Sequence, residues 1–387
     1  MAPWFSASAV APALASAWHL GPTGAAGLTV SVQLGFACGA LVSSILTLAD
    51  RWSARRFVSG AAVLAGLATV AVAASSGPGT AIPLRFLTGA ALAGVYPPAM
   101  KIAAGWFREA RGWAIGILVG ALTLGSALPH LIRWALPGDT WRVVLLVAAA
   151  SAFAGALLVL AVPSDGPFAA PSPPFSWSAV PRLLGDAATR LANVGYLGHM
   201  WEVYAMWTWM AVFVTASEMA RTGEGLTPGT RALAALVTFS VVGVGSVGCW
   251  LGGKWADRWG RTTVTSAAMA VSGTCCLAAG LLFGADWWVL LPVLLLWGVA
   301  VVADSAQFST AVTELAPPPY VGTALTLQTC LGFLLTAASI SLLPHVADRI
   351  GWRWTMAVLA PGPFLGIWAM QALRRRPEAS LLAGGRG

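Results

Sequence analysis

Residues 252–261 read Gly252-Gly253-Lys254-Trp255-Ala256-Asp257-Arg258-Trp259-Gly260-Arg261, and residues 49–56 read Ala49-Asp50-Arg51-Trp52-Ser53-Ala54-Arg55-Arg56. The tetrapeptide Ala-Asp-Arg-Trp thus occurs twice, 207 residues apart. Each copy follows one long apolar run and precedes another. A charged loop that recurs at matching places in two halves of a chain points to duplication of a multi-helix unit.

The rest of the chain supports a membrane reading. Of its 387 residues 58% are hydrophobic and 9% charged, against about 45–50% and about 25% in soluble domains. That balance excludes a soluble enzyme, a disordered chain and a fibre. A helix needs about 20 apolar residues to cross the hydrocarbon core. Twelve such runs are present, with cores at 2–18, 25–48, 57–76, 81–104, 112–135 and 142–162, then 191–217, 230–253, 262–284, 287–312, 321–343 and 354–373. The expected fold is an all-α polytopic membrane protein of twelve transmembrane helices. It divides into a six-helix bundle at 1–162, a Pro-rich linker at 163–190, a second bundle at 191–373 and a tail at 374–387. The first run begins at Met1 and is short, which suggests a late-assigned start or a helix that enters the bilayer short. No basic segment precedes it, which argues against a cleaved signal peptide.

Lys and Arg set the orientation. With the N-terminus inside, fifteen fall in cytoplasmic loops, six outside, and Arg85 within the membrane. This bias places both termini and the linker in the cytoplasm, and the basic charge marks orientation rather than nucleic-acid binding. Cys38, Cys249, Cys275, Cys276 and Cys330 all lie in apolar runs without metal-ligand spacing, so they read as packing residues. Neither a metal nor a cofactor is expected.

On the two loops the sequence resembles the major facilitator superfamily, over essentially its whole length. The second loop matches the family signature between helices two and three closely; the first departs from it at Ser53 and Ala54. Arg85-Phe86-Leu87-Thr88-Gly89, with Gly94, resembles the family's helix-four motif. The resemblance implies a secondary transporter that works by alternating access, in two pseudo-symmetric halves. It also implies a gating role for Asp50 and Asp257, and a carboxylate at a helix N-terminus is favourable in any case. The expected receptor for Asp50 is the start of helix eleven, after Pro317, Pro318 and Pro319. That for Asp257 is the start of helix five, at Arg111 and Gly112. Glu109 and Glu314 precede those helices and are expected to pair with Arg51, Arg258 or their neighbours.

An ionisable group inside the bilayer is costly, so each is a functional candidate. Glu202 and His199 stand three apart on run seven and share a face. The expected alternatives are that they satisfy each other in a packed interior, or that Glu202 exchanges a proton as the cavity alternates while His199 tunes it. Asp304 is a second proton-coupling candidate. Arg85 is expected either to hold a substrate anion by charge-assisted hydrogen bonds or to pair structurally with an acid such as Asp304. Gln33, Tyr96, Tyr196, Tyr204, Trp207 and Gln328 complete the expected substrate contacts with Arg85 and His199.

Gly116, Gly120 and Gly125 of run five allow close helix approach. Gly125-Ser126-Ala127-Leu128-Pro129-His130 stands where drug–proton antiporters of the superfamily carry a Gly-Pro-x-x-Gly-Gly element, and lacks it. Nitrate-porter signatures are absent too. The favoured reading is a monomeric, proton-coupled symporter of a small polar solute, preferably a small anion, in a bacterial inner membrane. The alternative is efflux of amphipathic compounds by proton antiport. An enzyme is not expected, since no nucleophile–base set or phosphate loop is present.

Overall fold

The computed structural model of the protein describes residues 1–107, 111–136, 140–168 and 174–387. Among these residues every regular element is a helix. Before the linker come α1 (Ala2–Ala9), α2 (Ala11–Trp18), α3 (Pro22–Ile45), α4 (Leu48–Arg51), α5 (Ala54–Ala74), α6 (Pro78–Ala93), α7 (Tyr96–Trp106), α8 (Arg111–Ala135) and α9 (Trp141–Leu160). After it come α10 (Val180–Gly185), α11 (Ala187–Thr222), α12 (Pro228–Trp259), α13 (Arg261–Leu281), α14 (Trp287–Ala303), α15 (Ser305–Leu315), α16 (Val321–Ile350), α17 (Trp352–Thr355) and α18 (Pro361–Arg374).

Nine helical stretches among the described residues are long and apolar enough to cross a membrane. The three expected runs outside this set are the α1–α2 pair, the α6–α7 pair and α11, which carries His199 and Glu202. Most breaks have a local cause. Pro12 stands just inside α2, and Pro97 and Pro98 just inside α7. Proline lacks an N–H and suits only the first turn, so each starts a new helix. The break between α14 and α15 falls on Asp304, without a proline.

Glycines decide how the helices cross. A Cβ on Gly35 would strike the Phe86 carbonyl, one on Gly39 the Ala90 carbonyl, and one on Gly89 the Val32 carbonyl. The backbones of α3 and α6 therefore touch. The pattern repeats between α12 and α14: Gly248 faces the Val299 carbonyl, Gly252 the Ala303 carbonyl and Gly298 the Val241 carbonyl. Small residues at such crossings let bilayer helices pack without side chains between them.

Contacts between the first nine helices and the later ones run mainly along α8 with α12 and α3 with α16. Their polar links are light. Thr326 donates to the Ser44 hydroxyl at 2.8 Å, and the Cys330 thiol to the Ala37 carbonyl at 3.4 Å. Three of the cysteines, Cys249, Cys275 and Cys276, are buried, whereas Cys38 is exposed.

The linker does more than connect. Asp165 accepts from the amides of Ala54 and Arg55, at 2.8 and 3.0 Å, and from the Ser53 hydroxyl at 3.2 Å. It thereby caps the N-terminus of α5. Partial burial opposes its ionisation, but these donors and the Arg55 charge outweigh that and hold its carboxyl below the ordinary aspartate range. Asp165→Ala is expected to lower stability by about 1 kcal/mol, the usual worth of such a cap. A carboxyl depressed in the folded state stabilises above its unfolded value and ceases to do so as pH falls through the folded one. The gap in melting temperature between variant and wild type should therefore be full at neutral pH and close in strong acid. The segment after α18 is docked as well: Leu382 is buried, the Ala383 amide donates to Glu314 at 3.2 Å, and Arg386 donates to the Asp257 carbonyl.

Candidate functional site

The centre of the later half holds a buried carboxylate. Glu202, halfway along α11, is 1% exposed. Its Oε1 accepts from the Trp297 indole at 2.6 Å and the Cys276 thiol at 3.2 Å, and its Oε2 from the Ser272 hydroxyl at 2.9 Å. Ser272 and Cys276 are one turn apart on α13; Trp297 comes from α14. Glu202 thus ties three helices together through neutral donors, and no ion pair to it occurs among the described residues. His199, on the same helix, turns to a different partner. Its Nδ1 lies 2.9 Å from Oδ1 of Asp304, the residue at the α14–α15 break, both side chains being 2% exposed. The distance is that of a hydrogen bond but the alignment is not, because Asp304 Oδ1 has no aligned donor. The sequence expectation that His199 and Glu202 satisfy each other is therefore corrected: they share a helix and serve separate neighbours.

Arg85 is the larger correction. It is fully buried in α6 and donates to the Leu28 carbonyl at 3.1 Å, the Pro3 carbonyl at 2.6 Å, the Ser6 hydroxyl at 3.4 Å and the Trp4 carbonyl. No acid pairs with it among the described residues, so the structural alternative with Asp304 fails too. A guanidinium carries five N–H donors in a fixed fork, and here they join α1, α3 and α6 rather than reaching an anion. Arg85 is a brace.

Between the halves lies a cluster of rings. Trp4 and Phe5 of α1 and Phe36 of α3 meet Tyr204 and Trp207 of α11 and Phe333 of α16. Trp4 stands 5.6 Å from Tyr204 and 5.4 Å from Phe333, and Phe5 stands 5.6 Å from Trp207, between ring centroids. Of the expected substrate contacts, Tyr204 and Trp207 sit in this cluster, and Gln33 lies one turn from Phe36 on the same face of α3. Gln328 donates to Asn193 at 3.1 Å, and Tyr196 packs on the Phe308 ring at 6.2 Å. Tyr96 opens α7 behind the proline break.

The charged loops are clamped to their own halves. Asp50 pairs with Lys101 of α7. Both line a cleft of about 210 Å³ that Gly322, Leu325 and Thr326 of α16 also line. Glu314 takes Arg261, not Arg51 or Arg258, in a two-pronged pair of 2.9 and 2.8 Å, while Arg261 also reaches Gln307 at 2.8 Å and Asp257 at 3.4 Å. Asp257, whose side chain is 62% exposed, meets Arg261 across the Gly260 break, at the first residue of α13. Arg51 and Arg258 are exposed. Glu109 and the side chain of Arg111 lie outside the described residues.

Sequence reasoning missed Ser272, Cys276 and Trp297, because a hydroxyl, a thiol and an indole in apolar runs read as packing. It also missed Trp4, Phe5, Phe36 and Phe333, for which no sequence signal distinguishes a lining ring from a core ring.

The model of the Major Facilitator Superfamily matches residues 1–340 and, in a second match, 230–386. The chain belongs to the major facilitator superfamily. It is therefore a multi-pass membrane transporter of the family that its loops resembled. Among solved structures, a D-xylose-proton symporter is similar at 15% identity, with 98% of this chain and 96% of that one covered and a TM-score of 0.76. The nucleoside transporter NupG is similar at 12% identity, with 96% of each chain covered and a TM-score of 0.71. The human organic anion transporter MFSD10 is similar at 19% identity, covering 90% and 83%, with a TM-score of 0.66. At these identities the likeness shows the fold. No curated protein sequence gives a significant match.

Proposed function

We propose that this member of the superfamily is a proton-coupled symporter of a small polar solute, working by alternating access as a monomer in the inner membrane. The observation that carries the reading is the Glu202 carboxylate, buried without a cation and held by donors from α13 and α14. An ionised carboxyl only accepts hydrogen bonds; a protonated one must also donate. Taking up a proton at Oε2 would reverse the Ser272 bond, the hydroxyl then accepting from the carboxyl and donating to the Met269 carbonyl, 3.3 Å away. Proton binding thus changes how α11 is tied to α13 through this one group. Asp304, in contact with His199, is the second proton candidate. The clamps Asp50–Lys101 and Arg261–Glu314 brace the cytoplasmic ends of each half during the change, with Asp50 beside the start of helix eleven.

The preference for a small anion rested on Arg85, whose donors are engaged by backbone. A neutral polar solute remains. Efflux of amphipathic compounds is the second reading, favoured by the ring cluster between the halves. Proteoliposomes in a weakly buffered medium separate the two. Symport predicts that adding a transported solute outside alkalinises the medium, and that a protonophore abolishes accumulation. Acidification on addition would indicate antiport, and accumulation that ignores the protonophore would overturn proton coupling.

A further inference from the structure

Polar atoms in and around the ring cluster have no hydrogen-bonding partner among the described residues. The indole N–H groups of Trp4 and Trp207, both amide atoms of Gln33 and the amide oxygen of Gln328 are buried and lack a hydrogen-bonding partner among the described residues. Gln33 is fully buried, Gln328 is 1% exposed, and both indoles are 3% exposed. A buried polar group without a partner is destabilising, and such groups in native proteins call for an explanation. Here they converge. Trp4 packs against Tyr204 and Phe333, Trp207 against Tyr204, and Gln33 stands one turn from Phe36, which touches Trp4 at 4.8 Å. They come from both halves, on the neighbouring helices α1, α3, α11 and α16, with Gln328 held against Asn193 of α11.

We infer that these atoms form the recognition site for a neutral, hydroxyl-bearing ring compound; this rests on the transport reading above and names its substrate class. Three of the atoms donate and two accept. An anion would satisfy the donors alone, and a cation the acceptors alone. A hydroxyl donates and accepts at once, so a solute with several hydroxyls satisfies both kinds. The charge distribution agrees. Among the described residues the buried arginines are both engaged, Arg85 mainly by carbonyls and Arg261 by Glu314, while Glu202 and Asp304 are buried acids. An anion would find both buried guanidinium groups already paired and two buried acids nearby in the chain's later half. The indoles and Phe333 offer flat faces on which a ring can lie, with the polar atoms at their edges, the mix of apolar walls and few placed polar groups typical of small-molecule sites. In this conformation the rings close on one another, and parting of the halves bares them.

The test uses the full chain purified in detergent, with D-glucose, D-xylose and myo-inositol as neutral probes. Lactate and phosphate serve as anions and tetraphenylphosphonium as a lipophilic cation. A neutral ring compound should raise the melting temperature saturably. Its affinity should fall about tenfold in each of Gln33→Leu and Trp207→Phe, the usual worth of one hydrogen bond. A binding-site origin predicts a signature that general damage would not give: Gln33→Leu loses unpaired polar atoms at nearly constant volume, so its melting temperature without solute should equal or exceed wild type. Stabilisation by the anions or the cation alone, or affinity unchanged in both variants, would overturn the inference. Counterflow in proteoliposomes separates this from the transport reading. Anion counterflow without neutral counterflow would sink the substrate class and leave transport standing. A neutral solute that binds but never crosses would support the class and sink transport.

Discussion

Glu202→Gln is expected to abolish accumulation of solute against a gradient while leaving exchange of solute across the membrane within a few-fold of wild type. Glutamine keeps the shape and an acceptor oxygen for Trp297, but it cannot release or take up a proton. One elementary charge moved across 100 mV is worth about 2.3 kcal/mol, and each 1.4 kcal/mol is about tenfold in a concentration ratio. Losing one coupled proton should lower the steady-state accumulation ratio by roughly 50-fold at that potential. Counterflow, which needs no net proton movement, should survive. Undiminished accumulation by Glu202→Gln would remove Glu202 from the coupling mechanism and leave Asp304 as the group to test.

Gly252→Ala is expected to have the largest effect on the fold, with Gly39→Ala as its counterpart in the first half. The added carbon would lie on the Ala303 carbonyl in one case and the Ala90 carbonyl in the other. Backbone cannot rotate away as a side chain can, so the helices themselves must separate. Overpacking costs about 1–3 kcal/mol where side chains relax, and more where they cannot. Both variants should lose most of the monodisperse peak on size exclusion in detergent. Gly253→Ala, one residue along and facing open space, should not. If Gly252→Ala and Gly253→Ala behave alike, the close crossing of α12 and α14 is not required for folding.

The sequence announced the membrane, the duplicated loops and most helix positions because these are set by composition and local patterning. Apolar runs near 20 residues leave few alternatives, and prolines at 12 and 97–98 mark breaks from their own chemistry. The polar residues on the inner helices were equally visible, since an ionisable side chain in an apolar run stands out. Their partners were not. That His199 meets Asp304 while Glu202 meets Ser272, Cys276 and Trp297 depends on how α11 rotates against three distant helices. Spacing along one helix says which side chains share a face, not which helix that face meets. Arg85 shows the same limit more sharply. A lone arginine in a bilayer helix reads as an anion ligand, yet main-chain carbonyls satisfy it, and carbonyls leave no mark in a sequence.

The contacts that join α3 to α6 and α12 to α14 end at Ala90 and Ala303, and the helix breaks follow within a few residues, at Gly94–Val95 and at Asp304. In engineering terms each half carries a stiff beam with an elbow at its end. Beyond the elbow, the forearm α7 is tethered at its middle by Lys101–Asp50 and the forearm α15 near its far end by Glu314–Arg261. A load applied to either forearm cannot bend the beam, so the deflection gathers at the elbow. In the second half that elbow is Asp304, a buried acid set against His199 of α11. The residue at that joint is therefore also the one that α11 holds, through His199.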